Sequence, residues 1–181
     1  MSISHSLNQM LQSAQEAFTK KDYPRAVAIF QQILESIDAA QQPVAHAEAR
    51  NNLSVALLKS GRFSEAYEQA LGTDSVFAQN GDILKQAMAL GNTAAALAEL
   101  HRYDEALEIY QQASELFKQA GDEDTRSYVL SEISALQIRR GKGIESMFAM
   151  DRALNSREKL TLSQRFLKGV MKIFYWVTKP R

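Results

Sequence analysis

Asn52 and Asn92 stand forty residues apart in similar surroundings. A side-chain amide offers a donor and an acceptor together, so at a surface it can pair with the main chain of a bound peptide. Turned inward, the same amide bonds across to a neighbouring helix, since most side-chain hydrogen bonds serve the protein itself or water. Both roles are open at these positions. Other chemistry-bearing residues lack a supporting pattern. His5, His46 and His101 lie in three unrelated settings without metal-ligand spacing, and His101 falls in a turn where a solvated imidazole is expected. No Ser–His–Asp order or pair of facing carboxylates can be assembled. Gly141-Lys142-Gly143 matches a phosphate loop in composition alone and falls at a turn between helices. The expectation is a non-enzymatic protein with no cofactor and no metal.

The elements that carry the two asparagines repeat. Lys20 opens KKDYPRAVAIFQQIL, Lys59 opens KSGRFSEAYEQAL and Glu99 opens ELHRYDEALEIYQQA. Tyr23, Phe63 and Tyr103 share one position, and Ala26, Ala66 and Ala106 follow three residues behind. A fixed period of this length marks stacked supersecondary units, which usually act by presenting a surface. Within each unit, a first helix places Met10, Ser13, Ala14 and Ala17, then Arg50, Leu53, Ser54 and Leu57, then Leu90, Thr93, Ala94 and Leu97 on one face. The small residues Ala14, Ser54 and Ala94 let a second helix approach closely. That second helix carries stripes such as Ala106, Tyr110, Ala113 and Phe117. Ser64 and Asp104 are expected as N-caps, and Pro24 suits a helix start. Gly81-Asp82 and Gly121-Asp122 read as a stop followed by a cap. Gly72-Thr73-Asp74 is a poor mid-helix run, so a bend or loose packing is expected there.

Composition agrees with an all-helical chain. The 181 residues include 3 Pro and 8 Gly, and helix-forming Ala, Gln, Leu and Glu dominate. Formal net charge is zero, which gives no electrostatic footprint for nucleic acid. The chain has no cysteine, so a disulfide framework and a thiolate metal site are excluded. No basic stretch leading into an apolar run opens the sequence, and no segment reads as a membrane span. The expected location is cytoplasmic, either free or peripheral to a membrane.

The units resemble the tetratricopeptide repeat, a helix–turn–helix with the pattern W-x2-L-G-x2-Y…A-x3-F…P. The Trp position holds Met10, Arg50, Leu90 and Leu130, and the Leu-Gly pair becomes Ser13-Ala14, Leu53-Ser54, Thr93-Ala94 and Ile133-Ser134. The A-x3-F pair becomes Ala26/Phe30, Ala66/Ala70, Ala106/Tyr110 and Ser146/Met150, with the fourth unit eroded at Gly143. The terminal Pro is missing, and each unit is about six residues longer than the usual 34. Both departures fit the longer-helix variant found in kinesin light chains. The resemblance covers Leu7 to Arg157. It implies an all-α, right-handed superhelical solenoid of about four hairpins. The hairpins span approximately 7–40, 47–80, 87–120 and 127–157 inside a repeat domain 1–158, followed by a helix over 159–181.

The resemblance also implies a protein–protein interaction scaffold whose first helices line a concave groove for a peptide or protein partner. At 100° per residue, the face opposite the buried stripe holds Asn8, Gln12, Gln15 and Thr19, then Glu48, Asn52, Val55 and Lys59. Next come Met88, Asn92, Ala95 and Glu99, then Tyr128, Glu132, Ala135 and Arg139. The peptide-binding candidates on it are Asn52, Val55, Lys59, Met88, Asn92, Glu99, Tyr128 and Arg139. In related scaffolds, asparagine at this position bonds the main chain of the peptide. The basic cluster that clamps a C-terminal carboxylate in chaperone-binding members is missing, so an acidic tail is not the expected ligand.

After Glu158 the chain has no acidic residue. Arg165, Lys168, Lys172, Lys179 and Arg181 accompany Phe166, Leu167, Val170, Met171, Phe174 and Val177, whose directions fall within roughly 140° of a helical wheel. Ser163 is the expected cap. Three roles are open for this basic amphipathic helix. It can cap the last unit, lie on an anionic membrane surface, or form a homodimer. Phe174, Trp176, Val177, Lys168 and Lys172 would make the contact, and the second role makes the chain a peripheral membrane assembly factor.

Overall fold

The computed structural model describes residues 2–139, 143–156, 161, 164, 165, 167–170 and 172, with the helical path alone over 2–6 and 143–148. Every element among them is α-helical and none is a strand. The order is α1 (Ser2–Thr19), α2 (Tyr23–Ser36), α3 (Pro43–Lys59), α4 (Phe63–Ala70), α5 (Thr73–Gln79), α6 (Ile83–Glu99), α7 (Tyr103–Ala120), α8 (Glu123–Arg139) and α9 (Gly143–Asn155). The chain divides into two compact units, Met1–Ile109 and Tyr110–Arg181.

In the first unit, α1 packs on α2, α2 on α3, and α3 on α4, α5 and α6. Its core is built from Ala14, Ala17, Ala26, Phe30, Ile33, Leu53, Leu57 and Ala66, joined by Ala96. Ala14, Ser54 and Ala94 are each 0% exposed, as are Ala26, Ala66 and Ala106, so the small-residue positions are the points of closest helix approach. In the second unit α8 packs on α9, with Ile133, Leu136, Ala149 and Ala153 buried.

The joints repeat as faithfully as the helices. Lys21, Gly61 and His101 are forty residues apart and all adopt a left-handed φ, at 59°, 74° and 61°. Each is the left-handed residue of a Schellman closure, whose bond comes from the residue after it. Asp22 N–H donates to Ala17 O at 2.8 Å, Arg62 N–H to Leu57 O at 3.0 Å and Arg102 N–H to Leu97 O at 2.9 Å. The same residue then caps the next helix. Asp22 Oδ1 accepts from Arg25 N–H at 3.3 Å. Asp82 and Asp122 repeat the device, each accepting a backbone N–H three residues on at 3.0 Å.

Here the caps expected at Ser64 and Asp104 are corrected. Their helices begin one residue earlier, at Phe63 and Tyr103, which leaves Ser64 and Asp104 inside the first turn. The two-residue link makes Arg62 and Arg102 serve both helices. Each arginine instead grips the glutamate three residues on, Nε to Oε1 at 2.7 Å. Arg102 also stacks its guanidinium over Tyr67, 4.9 Å from the ring centre.

The run Gly72-Thr73-Asp74 does more than bend a helix. The chain leaves α4 at Ala70, extends at Leu71, turns left-handed at Gly72 (φ 81°) and restarts at Thr73. Packing there is tight rather than loose, with Ala70 and Thr73 at 0% exposure and Phe77 at 1%. Two carbonyls freed by the break are taken by one side chain. Arg50 Nη2 donates to Glu68 O at 2.7 Å and to Leu71 O at 3.1 Å, while Thr73 Oγ1 donates to Ala70 O at 2.7 Å. Partial burial lowers the pKa of the Arg50 guanidinium.

Two substitutions test this joint. A Cβ at Gly72 meets nothing within 4 Å, so Gly72→Ala costs backbone strain alone, roughly 1–2 kcal/mol. Arg50→Met removes the donor to both carbonyls and costs about 1–3 kcal/mol. Both should lower the urea midpoint of unfolding. An unmoved midpoint for Arg50→Met would show that water caps α4 equally well.

Candidate functional site

A pocket of about 240 Å³ opens between the first three helices. Leu11, Gln15 and Phe18 of α1 line it, with Phe30 of α2 and Asn52 and Val55 of α3. Phe30 is buried and makes the floor, whereas Phe18 and Val55 are half-buried walls. Gln15 and Asn52 stand exposed at the rim, and no described residue hydrogen-bonds to either side-chain amide. The lining holds no charge. Such a site can take a neutral apolar group and offers amide donors and acceptors to the polar atoms flanking it.

The two asparagines singled out by their spacing differ in state. Asn52 faces the pocket. Asn92 is half-buried and its Nδ2 donates to Asn51 Oδ1 at 2.9 Å, tying α6 to α3. A second tie runs from Lys85 Nζ to Glu48 Oε1 at 2.6 Å, and Lys85 also meets Asp82 at 3.2 Å. Hydrogen bonds to Glu48 and then Asp82 raise the Lys85 pKa. The backbone N–H of Lys85 holds the Asp82 carboxyl below the usual carboxylate range.

Lys59 and Glu99 close α3 and α6 and are both exposed, as is Met88 at 46%. Tyr128 and Arg139 belong to the second unit. Tyr128 is 56% exposed, and its phenol pKa is raised by partial burial and then by Glu132. Arg139 is exposed. Leu11, Phe18 and Asn51 were not singled out from sequence, and Phe30 was read there as a packing residue of the repeat rather than as part of a site. Leu11 and Phe18 are seven apart and off the buried stripe of α1, which was the available signal.

Toward the C-terminus, Lys168 is half-buried and Lys172 exposed, beside the exposed Leu167 and Val170. Phe174, Trp176 and Val177 lie outside the described residues, as do Gly141, Lys142 and Ser163. A reciprocal capping box falls on Thr161 and Gln164, with Thr161 N–H donating to Gln164 Oε1 at 2.9 Å and Gln164 N–H to Thr161 Oγ1 at 3.4 Å. Among the described residues no helix is long and apolar enough to cross a membrane, and no cluster of three or more metal-binding side chains occurs.

No family model matches the chain, and no curated protein matches it. Among solved structures, BtubC (BKLC) from P. vanneervenii is similar, with a TM-score of 0.69 and 17% identity over 96% of this chain and 84% of that one. At that identity the likeness speaks for the helical fold alone.

The contrast between the asparagines is measurable. Asn51→Ala removes a buried amide and leaves the half-buried Asn92 without its partner, and should cost about 1–2 kcal/mol of stability. Asn52→Ala, at an exposed position, should stay within about 0.5 kcal/mol of the parent. Equal losses in urea melts of the two variants would show that Asn52 also has a structural bond.

Proposed function

We propose that the chain is a non-enzymatic interaction module, a right-handed solenoid of tetratricopeptide-like hairpins that holds a peptide segment of a partner protein. The peptide lies along the first-helix face of α1, α3 and α6. One observation carries this reading: an uncharged apolar pocket rimmed by two side-chain amides, Gln15 and Asn52, that hydrogen-bond to no described residue. An amide left unpaired at the edge of an apolar floor suits a main chain that supplies both donor and acceptor. The Glu48–Lys85 and Asn51–Asn92 ties support it by fixing the two helices of the face before a ligand arrives, which lowers the ordering cost of binding.

Selection from a displayed library of random linear peptides tests the proposal directly. Enriched peptides should compete with one another for the intact chain. Asn52→Ala should weaken them by about 0.5–1.5 kcal/mol in anisotropy titrations while helicity by circular dichroism stays unchanged. A selection that enriches nothing, or peptides that bind the Asn52 variant as well as the parent, would remove this face as the binding surface.

A further inference from the structure

The residues around the pocket specify a ligand pattern, and this step rests on the peptide-binding reading above. The partner numbers of the ties between α3 and α6 rise together, Glu48 with Lys85 and Asn51 with Asn92. The two helices therefore run parallel, and their C-terminal residues, Lys59 and Glu99, sit at the same end of the face. Both are exposed, and neither forms a salt bridge or hydrogen bond with a described residue. Most other basic side chains of this unit are engaged, whereas Lys21 and Arg25, in and just after the turn from α1 into α2, form no salt bridge or side-chain hydrogen bond with a described residue. Lys85 is held by two carboxylates, Arg62 and Arg102 by their glutamates, and Arg50 by two carbonyls. Lys59 lies one turn beyond Val55 on the same side of α3, so an unengaged ammonium stands beside the apolar pocket. An unengaged carboxylate stands one helix further along.

We infer that this face selects a segment with three features in a fixed order: a large apolar side chain, then a carboxylate, then a basic group. The apolar side chain fills the pocket. At about 240 Å³ it exceeds the roughly 150 Å³ cavity that accommodates benzene, so a leucine-, methionine- or phenylalanine-sized group fits. The carboxylate meets Lys59. One helical turn separates Lys59 from Val55, about 5.4 Å, so the acid follows the anchor by about two residues of extended chain. The basic group meets Glu99. Neighbouring helix axes lie about 8–10 Å apart, which places it about three residues beyond the acid. Exposed charge pairs add little affinity, so the anchor supplies the strength and the charges set the register. The opposite signs at Lys59 and Glu99 also disfavour a uniformly acidic tail on this face.

The test uses the intact chain and the peptides enriched in the selection above. Sequencing should show the order apolar, acidic, basic, in either chain direction. Replacing the apolar residue by Ser should weaken binding on the order of tenfold or more, with loss of the shifts it causes in the Leu11 and Val55 methyl signals. The double change Lys59→Glu with Glu99→Lys, both on exposed positions, should reverse preference. Peptides with acid and base exchanged should then bind roughly threefold to tenfold better than the originals. Peptides that bind this face without a charge order, or whose ranking ignores the double change, would overturn the inference and leave the interaction module standing. A selection that enriches nothing would overturn both.

Discussion

Close approach of helices at positions with almost no side chain governs the first unit. Ala14, Ser54 and Ala94 on the first helices, with Ala26, Ala66 and Ala106 on the second, are completely enclosed. A methyl or hydroxymethyl group sets the distance between neighbours, and interiors packed at crystal-like density tolerate no slack there. The rest follows from that spacing. The Lys85 ammonium reaches Glu48, and the Asn92 amide reaches Asn51, because α6 is held close to α3. The pocket exists because Phe18, Phe30 and Val55 are large residues standing next to this line of small ones.

The break between α4 and α5 shows how the unit absorbs a local fault. Gly72 supplies a conformation that other residues adopt at a cost, and the interruption releases carbonyls that a continuous helix would have used. The repair comes from Arg50 of α3. A guanidinium with several donors in a fixed fork is the side chain suited to two carbonyls at once. The unusual residue on the first helix and the break on the second thus answer each other, as do the buried Thr73 and Ala70 on either side of the break.

Much of this was legible before any coordinates. Residues at forty-residue spacing located the helices, the buried stripes and the glycine stops, because periodicity reports burial directly. The N-terminal caps were misplaced at Ser64 and Asp104, since nothing in the sequence says that one link residue will serve two helices. The break at Gly72 was visible as a weakness, but Arg50 as its remedy was not, because that bond joins residues eighteen or more apart in the chain. Of the candidate site, Asn52 and Val55 were placed on the open face, while the apolar walls from α1 and α2 were not foreseen. Spacing alone also could not separate Asn52 from Asn92. Their difference depends on Asn51, a neighbour whose burial follows from how the helices rotate against each other.

The shared link residues bear on how the first unit comes apart. Where Asp22, Arg62 or Asp82 ends one helix and begins the next, the hydrogen bond that closes the first is anchored on the residue that starts the second. Fraying on either side then loosens both helices, so adjacent elements open together as one cooperative block. The α4–α5 junction is built differently. Gly72 starts α5 without a side-chain cap bond, and closure there relies on a side chain from α3. Opening can stop at that point, as it can at the 37–42 link between α2 and α3, where no residue serves both helices, so the stack opens in separate blocks bounded by these two junctions.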